Sequence, residues 1–202
     1  MSHLDLMRTM QRSLMRADVT PEYSSGFNPH AVMSIALPLS VGMSSVCELM
    51  DFGVLGAEDL TALSARINNA LPEGIKISEI YESAVKLREI KYLRFSGVLF
   101  YANPAEDLSD KLRALLSLEE LIIDKKSKRG ISKTDIGPFI IKNQLDIRAS
   151  EEGIRLSAVI SVPDVSPAHF LEAIRQLEPE LYPDCAEFNR EELLQADFQL
   201  FK

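Results

Sequence analysis

Hydrophobic and polar positions near the amino terminus have helical spacing. The segment from His3 to about Ala17 contains no Gly or Pro, and Ser2 is a suitable cap at its start. At 100° per residue, one face holds His3, Leu4, Met7, Met10 and Leu14, and the opposite face holds Asp5, Arg8, Arg12 and Arg16. The pattern predicts an amphipathic helix whose arginine stripe points away from its own core.

The pattern then changes between strand and helix periods through the rest of the first half. It predicts a loop over residues 20–30 and a hairpin of two strands over 32–37 and 45–54. A second helix follows over 57–70 and a further strand over 75–82. A ferredoxin-like unit has the order βαββαβ, so the first half resembles such a unit without its initial strand.

The second half approaches the same order. Alternation from Ile90 predicts a strand with Leu93, Phe95, Leu99 and Tyr101 on one face. On the other face Tyr92, Arg94 and Phe100 either form a stacking platform or are buried by packing between sheets. Pro104 opens a helix, residues 145–148 and 154–162 form a hairpin, and Pro167 opens another helix. Residues 125–144 are an insertion, and the last segment is ambiguous between strand and helix. The sequence therefore predicts an α+β protein of two tandem ferredoxin-like (βαββαβ) units, at 1–85 and 90–202, the first lacking its initial strand.

Composition narrows the class of protein. The chain has 202 residues, 46% of them hydrophobic and 26% charged, which is enough for one large domain or two small ones. Cys47 and Cys185 stand alone, and the three histidines are scattered, so we expect no metal site and no cofactor held by this chain. No apolar run approaches the roughly 20 residues that span a bilayer, so a cytoplasmic location is expected.

Charge is distributed unevenly along the chain. The formal net charge is −8, and residues 163–202 contain nine acids against three bases, which makes the carboxy-terminal segment strongly acidic. A basic cluster interrupts the second half at Lys125, Lys126, Lys128, Arg129 and Lys133. It predicts an exposed loop over 125–133, which is either a solvated hairpin tip or a phosphate contact.

Two neighbouring features suggest recognition chemistry. The like charges of Arg8, Arg12 and Arg16 repel one another mildly, and a phosphate or carboxylate partner would offset that cost. The loop that follows contains Tyr23 and Phe27, which either stack on a base or close the loop onto the core. A solvated surface remains the alternative for the arginines.

The motifs of the first 51 residues resemble a known family. They read Ser2-His3-Leu4-Asp5-Leu6-Met7-Arg8, then Arg12 and Arg16-Ala17, then Tyr23-Ser24-Ser25-Gly26-Phe27-Asn28-Pro29, then Ser34, Ala36, Pro38-Leu39, Gly42, Ser45, Glu48 and Asp51. This pattern resembles a bacterial radical SAM-associated family of unknown function. The resemblance implies a radical SAM protein, fused or encoded nearby, as partner, with ribonuclease and ribosomal genes as frequent neighbours. It implies no reaction.

The sequence and the resemblance together predict a non-catalytic accessory or substrate-binding protein for a radical SAM enzyme, recognising RNA or a ribosomal component. The expected ligand-binding residues are Ser2, His3, Asp5, Arg8, Arg12, Arg16, Tyr23, Ser24, Gly26, Phe27, Asn28, Lys125, Lys126, Lys128 and Arg129. The iron–sulfur cysteines would belong to the partner.

Two other functions stay open. Tandem ferredoxin-like units also occur in CRISPR RNA endonucleases, and a metal-independent RNA-processing enzyme would use His3, Tyr23 and His30 as acid or base. A structural adaptor would instead use the acidic carboxy-terminal segment against a basic partner. The missing strand leaves an edge that a second copy of the chain or residues 198–201 would fill.

Overall fold

Apolar periodicity places four helices close to where the sequence predicts them. The computed structural model describes residues 2–56, 59–127 and 130–201. Its helices are α1 (His3–Arg16), α2 (Leu60–Ala70), α3 (Leu108–Leu116) and α4 (Pro167–Leu177). Together with several sheets they confirm a mixed α+β protein. Within the described residues no helix is long and apolar enough to cross a membrane.

Contacts divide the described chain into two compact units. The amino-terminal unit comprises residues within 1–41 and 48–87, and the carboxy-terminal unit comprises residues within 42–47 and 88–201. The carboxy-terminal unit thus includes a short segment that lies between two parts of the other unit in the sequence. The predicted domains 1–85 and 90–202 stay a prediction, because contacts within one chain do not establish that either part folds alone.

The amino-terminal unit is built around the packing of α1 against α2. Its buried cluster consists of Leu14, Ala17, Val19, Leu63 and Ile67. The predicted apolar face of α1 is correct for Met10 and Leu14 but wrong for His3 and Leu4, which are exposed. The buried stripe is displaced toward the end of the helix, where Ser13 and Ala17 are also buried, so the first turn extends beyond the core.

A two-stranded sheet completes this unit. Strand β1 (Met33–Ile35) pairs antiparallel with β3 (Met50–Phe52), and Ser34 lies opposite Asp51. The predicted second strand over 45–54 is wrong as a single element. Its first part joins β2 (Met43–Ser45), which instead pairs in the sheet of the carboxy-terminal unit.

The strand predicted over 75–82 is wrong, because a side chain takes the place of a neighbouring strand. Asn68 of α2 accepts a hydrogen bond at Oδ1 from the Ile77 amide (2.8 Å) and donates from Nδ2 to the Ile77 carbonyl (3.0 Å). Both backbone groups of Ile77 are therefore satisfied without a ladder.

The carboxy-terminal unit contains a five-stranded sheet. Besides β2, its strands are β4 (Tyr92–Phe100), β7 (Asp146–Ser150), β8 (Gly153–Ser161) and β9 (Cys185–Leu194). Their order across the sheet is β2-β9-β4-β8-β7. Strand β4 runs antiparallel to both neighbours, and β2 runs parallel to β9. Apart from an inserted hairpin and β2, the chain order is β-α-β-β-α-β. The tandem ferredoxin-like arrangement is not confirmed, because the described part of the amino-terminal unit has only a two-stranded sheet.

The two faces of β4 differ as its alternation predicts. Leu93, Phe95 and Leu99 are buried, and the Phe95 ring meets Phe170 of α4 edge-on with ring centroids 5.2 Å apart. On the opposite face Tyr92 stacks on Phe198 at 4.4 Å. The predicted stacking platform of Tyr92, Arg94 and Phe100 is thus partly occupied by the chain's own ring.

The basic cluster lies on a hairpin. Strand β5 (Ile122–Ser127) pairs antiparallel with β6 (Gly130–Asp135), so the described residues of the predicted exposed loop over 125–133 belong to a hairpin, as the first of its two alternatives has it. The Gln176 side chain of α4 holds this hairpin. It accepts a hydrogen bond from the Asp124 amide at 2.7 Å and donates one to the Asp124 carbonyl at 3.2 Å. Buried Ile123 adds an apolar anchor.

Candidate functional site

Three of the predicted residues organise the first turn of α1. The Ser2 hydroxyl accepts a hydrogen bond from the Asp5 amide at 3.2 Å and donates one to Asp5 Oδ2 at 2.6 Å. Asp5 Oδ1 lies 3.5 Å from Arg8 Nη1. The hydrogen bond from Ser2, assisted by the positive charge of Arg8, holds the pKa of the Asp5 carboxyl below its ordinary value. Ser2 and Asp5 therefore act on the helix itself, and neighbouring His3 is exposed.

The arginine stripe divides into two functional classes. Arg16 Nη2 donates to the carbonyl of Ala70, the last residue of α2, at 2.6 Å, and to Ser13 Oγ at 2.9 Å. The Ala70 carbonyl lies at the carboxy-terminal end of α2, where the negative end of the helix dipole favours a cation. Arg16 thus joins the two helices of its unit, whereas exposed Arg8 and Arg12 remain available for a ligand.

Hydrogen bonds close the base of the loop between α1 and β1. The Ser24 amide donates to the His30 carbonyl at 2.8 Å, and the His30 amide donates to Ser24 Oγ at 3.1 Å. Tyr23 forms a β-bridge to Ala31 at the same place. Gly26 within the loop has φ +129°, a conformation that favours glycine. The predicted ordered loop is present, and it is closed by its own polar groups.

The tip of this closed loop exposes an aromatic ring. Phe27 is wholly exposed and Tyr23 is 51% exposed, so neither ring closes the loop onto the core. Asn28 beside Phe27 is exposed as well. The structure therefore favours the first of the two alternatives for these aromatic rings, a surface available for stacking.

The pairing of Ser24 with His30 is not predicted from the sequence. Ser24 Oγ lies 2.9 Å from His30 Nδ1, within hydrogen-bond distance for a hydroxyl and a base. The only local signal is a serine six residues before a histidine with Gly and Pro between them. Its main structural effect is to join the two ends of the loop.

The three candidate catalytic groups are not brought together by any hydrogen bond in the described residues. His3 lies in the first turn of α1, Tyr23 at the loop base and His30 opposite Ser24. All three side chains are exposed to water. They lack the dry, preorganised surroundings in which acid and base groups are most effective.

A family model matches residues 1–167, which include every predicted binding residue. Its description is "uncharacterized protein conserved in bacteria (DUF2344)". The chain belongs to this family. The expected membership of a bacterial family of unknown function is thus confirmed, whereas a link to radical SAM enzymes stays a prediction. No curated protein matches the sequence.

The family match extends through the basic hairpin, which lies in the carboxy-terminal unit. Lys125 Nζ donates to the Asp164 carbonyl at 2.9 Å, so one of the predicted phosphate contacts is engaged within the chain. Lys126 lies on β5 and Lys133 on β6. Lys128 and Arg129 lie outside the described residues. The predicted binding residues therefore belong to two different units.

Metal binding has no support from the part of the chain that the structure describes. No group of three or more His, Cys, Asp and Glu side chains there could hold a metal ion. The candidate surface of the amino-terminal unit consists instead of two exposed arginines and two exposed aromatic rings, Arg8, Arg12, Tyr23 and Phe27. Such groups suit a ligand that combines negative charge with a planar ring.

Proposed function

We propose that this protein is a non-catalytic binding protein that recognises RNA or a ribosomal component and acts with a radical SAM enzyme in the cytoplasm. The supporting observation is the wholly exposed Phe27 at the tip of a closed loop. A ring that is exposed to water contributes little to the stability of the fold. Stacking of a base on such a ring contributes about 1–3 kcal/mol to the free energy of binding.

The arginines of the same unit supply the charge that this function needs. Arg8 and Arg12 are exposed on α1, and the seven steps along the chain from Arg16 to Tyr23 span at most about 25 Å. A single strand of RNA has phosphates and bases within such a length. We propose that Arg8 and Arg12 contact phosphates while Phe27 and Tyr23 stack on bases.

The test measures binding of a short mixed-sequence single-stranded RNA as a function of salt. Phe27→Ala should weaken binding by at least about fivefold at every salt concentration, because stacking is not screened. Replacing Arg8 and Arg12 together by Ala should reduce the slope of log K against log salt by about 0.7 per lost phosphate contact. Absence of binding by the unaltered protein at low ionic strength would overturn the proposal.

Matched controls come from the other unit. Tyr182 is 43% exposed and Arg175 is an exposed residue of α4, so Tyr182→Ala and Arg175→Ala remove the same kinds of group elsewhere. These variants should bind RNA as the unaltered protein does. If they weaken binding as much as the amino-terminal variants, the contact is non-specific.

The radical SAM partnership has a separate test. The neighbouring reading frames should encode a protein with the CxxxCxxC cluster motif, and that protein should co-purify with this chain. Capture of that protein in the absence of any RNA binding would favour a structural adaptor, with the acidic segment 163–202 as its contact.

The contact of Ser24 with His30 favours RNA processing as the second candidate function. A metal-independent enzyme would lose RNA cleavage in a His3→Ala, His30→Ala double variant. His3→Ala alone leaves the base of the loop intact, so its effect on cleavage separates chemistry from loop structure. Binding without cleavage by the unaltered protein would leave the first proposal standing.

A further inference from the structure

The carboxy-terminal unit has a polar groove that the proposed RNA surface does not use. The groove lies across strands β2, β9, β4, β8 and β7 and has a volume of about 480 Å³. This size falls within the range of small-molecule sites. We call it the sheet groove. Its lining contains hydroxyls, an amide, guanidinium groups and carboxylates, so it suits a polar ligand.

Two arginines face each other at one end of the sheet groove. Arg148 of β7 lies directly opposite Arg155 of β8 in the antiparallel register. Like charges in directly opposite positions destabilise a sheet. Each arginine has one long contact with an acid, to Asp146 at 3.4 Å and to Glu152 at 3.3 Å, and both side chains remain more than half exposed. One anionic group that accepts hydrogen bonds from both would offset their repulsion.

A line of uncharged polar side chains crosses the middle of the sheet groove. Ser157, Ser96, Asn189 and Ser44 are successive partners on β8, β4, β9 and β2. Ser44 Oγ donates to Asn189 Oδ1 at 2.9 Å, which uses the amide oxygen and leaves the Asn189 NH₂ group to donate. The line therefore offers both donors and acceptors at intervals of about 4.8 Å.

Carboxylates limit the charge that the sheet groove can accept. Glu187 lies opposite Val98, which in turn lies opposite Arg155, so Glu187 and Arg155 are separated by two strand spacings, or about 10 Å. Asp146 and Glu191 line the groove as well. The groove thus has two guanidinium groups and three carboxylates. This charge balance favours a ligand with one anionic end and repels a continuous polyanion. The carboxylates can accept hydrogen bonds from hydroxyl groups.

We propose that the sheet groove binds a small phosphorylated polyol, a phosphate monoester on a sugar. The phosphate lies on Arg148 and Arg155, and the sugar hydroxyls lie against Ser96, Asn189 and Glu187. This inference is independent of the proposed RNA function, because it rests on different residues in the other unit. A free sugar phosphate and a nucleoside monophosphate share this chemistry.

The experiment titrates the full chain with ribose 5-phosphate and follows the backbone amide resonances of the groove. Ser96, Ser157 and Asn189 should shift, and ribose 5-phosphate should bind about tenfold more tightly than either ribose or inorganic phosphate, since each has half of the contacts. A parallel titration with 5′-AMP separates the two sources: the tighter of the two ligands identifies which one the groove fits.

Variants connect binding to the arginine pair. Replacing Arg148 and Arg155 together by Gln should weaken ribose 5-phosphate binding about tenfold or more, and Arg155→Lys should weaken it less because it keeps the charge. Arg175→Gln, at an exposed position of α4, should have no effect. Ser96→Ala is a second variant that leaves both arginines in place, and it should weaken ribose 5-phosphate binding but not phosphate binding.

Several results would overturn the proposal. They are unshifted groove amides at millimolar ribose 5-phosphate, equal affinity for inorganic phosphate and ribose 5-phosphate, and unchanged affinity in the double variant. Tighter binding of a short RNA than of 5′-AMP at these same amides would also overturn it, because the carboxylates should exclude a polyanion.

Discussion

The two units satisfy their backbone groups in different ways. In the carboxy-terminal unit a five-stranded sheet pairs long strands such as β4 and β8 over eight successive residues. In the amino-terminal unit the paired strands have three residues each, and side chains bond several backbone groups outside this short ladder, as Gln176 does for Asp124 in the other unit. Arg16 bonds Ala70, Asn68 bonds Ile77 and Ser24 bonds His30.

The motif residues of the amino-terminal unit divide into those that hold its structure and those that are exposed. Ser2, Arg16 and Ser24 belong to the motifs that indicate the family, and each makes a hydrogen bond that holds a helix end or a loop. Arg12 and Phe27 belong to the same motifs and are exposed. Substitutions can therefore test whether the exposed motif residues have a role that the structural ones do not have.

The largest expected effect comes from the small core of the amino-terminal unit. Leu63 is buried with Leu14 and Ile67, so Leu63→Ala leaves a cavity that should cost about 2–5 kcal/mol. Because contacts divide the chain into two compact units, we expect amide hydrogen exchange to accelerate in α1 and α2 while β4 and β8 stay protected.

The reciprocal variant tests the same comparison. Phe95 is fully buried and meets both Phe170 and Phe188, so Phe95→Ala should cost about 3–5 kcal/mol and accelerate exchange in β4, β8 and β9. If either variant accelerates exchange equally in both units, the two units unfold together and do not differ in their free energies of unfolding.

The next effect concerns the side chain that replaces a strand. Asn68→Ala removes both hydrogen bonds to Ile77, each with an expected contribution of about 0.5–1.5 kcal/mol. Denaturant unfolding should show a loss of about 1–3 kcal/mol, with faster exchange of the Ile77 amide. Asn69, the exposed neighbour in α2, gives the control Asn69→Ala, which should lose less than about 0.5 kcal/mol. Equal losses would mean that the bonds to Ile77 make no specific contribution, because Asn→Ala raises helix propensity at both positions and cannot itself cause a loss.

Local periodicity predicted much of the fold. Leu108, Leu112, Leu115 and Leu116 repeat at helical spacing, and all four are buried in α3. The alternation around Phe95 likewise predicted which face of β4 is buried. These patterns succeed because each depends only on a few consecutive residues and on whether one side faces a core.

Pairing over long sequence distances was beyond local patterns. Ser44 of β2 lies opposite Asn189 of β9, 145 residues later, and no spacing within residues 42–47 indicates that partner. The candidate surface shows the same limit. The sequence indicated Arg8, Arg12 and Arg16 as one stripe, but the bond from Arg16 to the α2 carbonyl depends on how two helices pack.

The arginine stripe gives a smaller and more selective test. Arg16→Ala removes a charged donor from the Ala70 carbonyl at the exposed surface, and the unfolding free energy should fall by about 1 kcal/mol. Arg12→Ala should change it by less than about 0.5 kcal/mol, because Arg12 has no hydrogen bond or ion pair within the described residues. RNA affinity should show the reverse order, with Arg12→Ala more damaging than Arg16→Ala. The same order in both measurements would contradict the division of the stripe.

The smallest effect is a pH dependence in the carboxy-terminal unit. The Ser166 amide donates to His169 Nδ1 at 3.0 Å, so this nitrogen must be unprotonated. The hydrogen bond is part of a capping box at the amino-terminal end of α4. Burial and the positive charge of Lys125 lower the pKa of His169, although Glu172 opposes the shift. The unfolded chain therefore binds a proton more readily than the folded protein. The contribution of His169 is present above the ordinary histidine pKa of 6.5 and is lost as the pH falls below it.

The measurement compares denaturant midpoints at pH 7.5 and pH 5.5 for the unaltered protein and His169→Gln. Glutamine keeps an acceptor at the third helical position and does not titrate. In this variant the part of the midpoint difference between the two pH values that His169 causes should therefore disappear. The expected difference is about 1 kcal/mol or less, the usual contribution of an N-cap interaction. Because α1 has no histidine in its cap hydrogen bonds, exchange in the amino-terminal unit should not change with His169→Gln. A change there would mean that protonation of His169 alters both units, and the separation of the two would fail at neutral to mildly acidic pH.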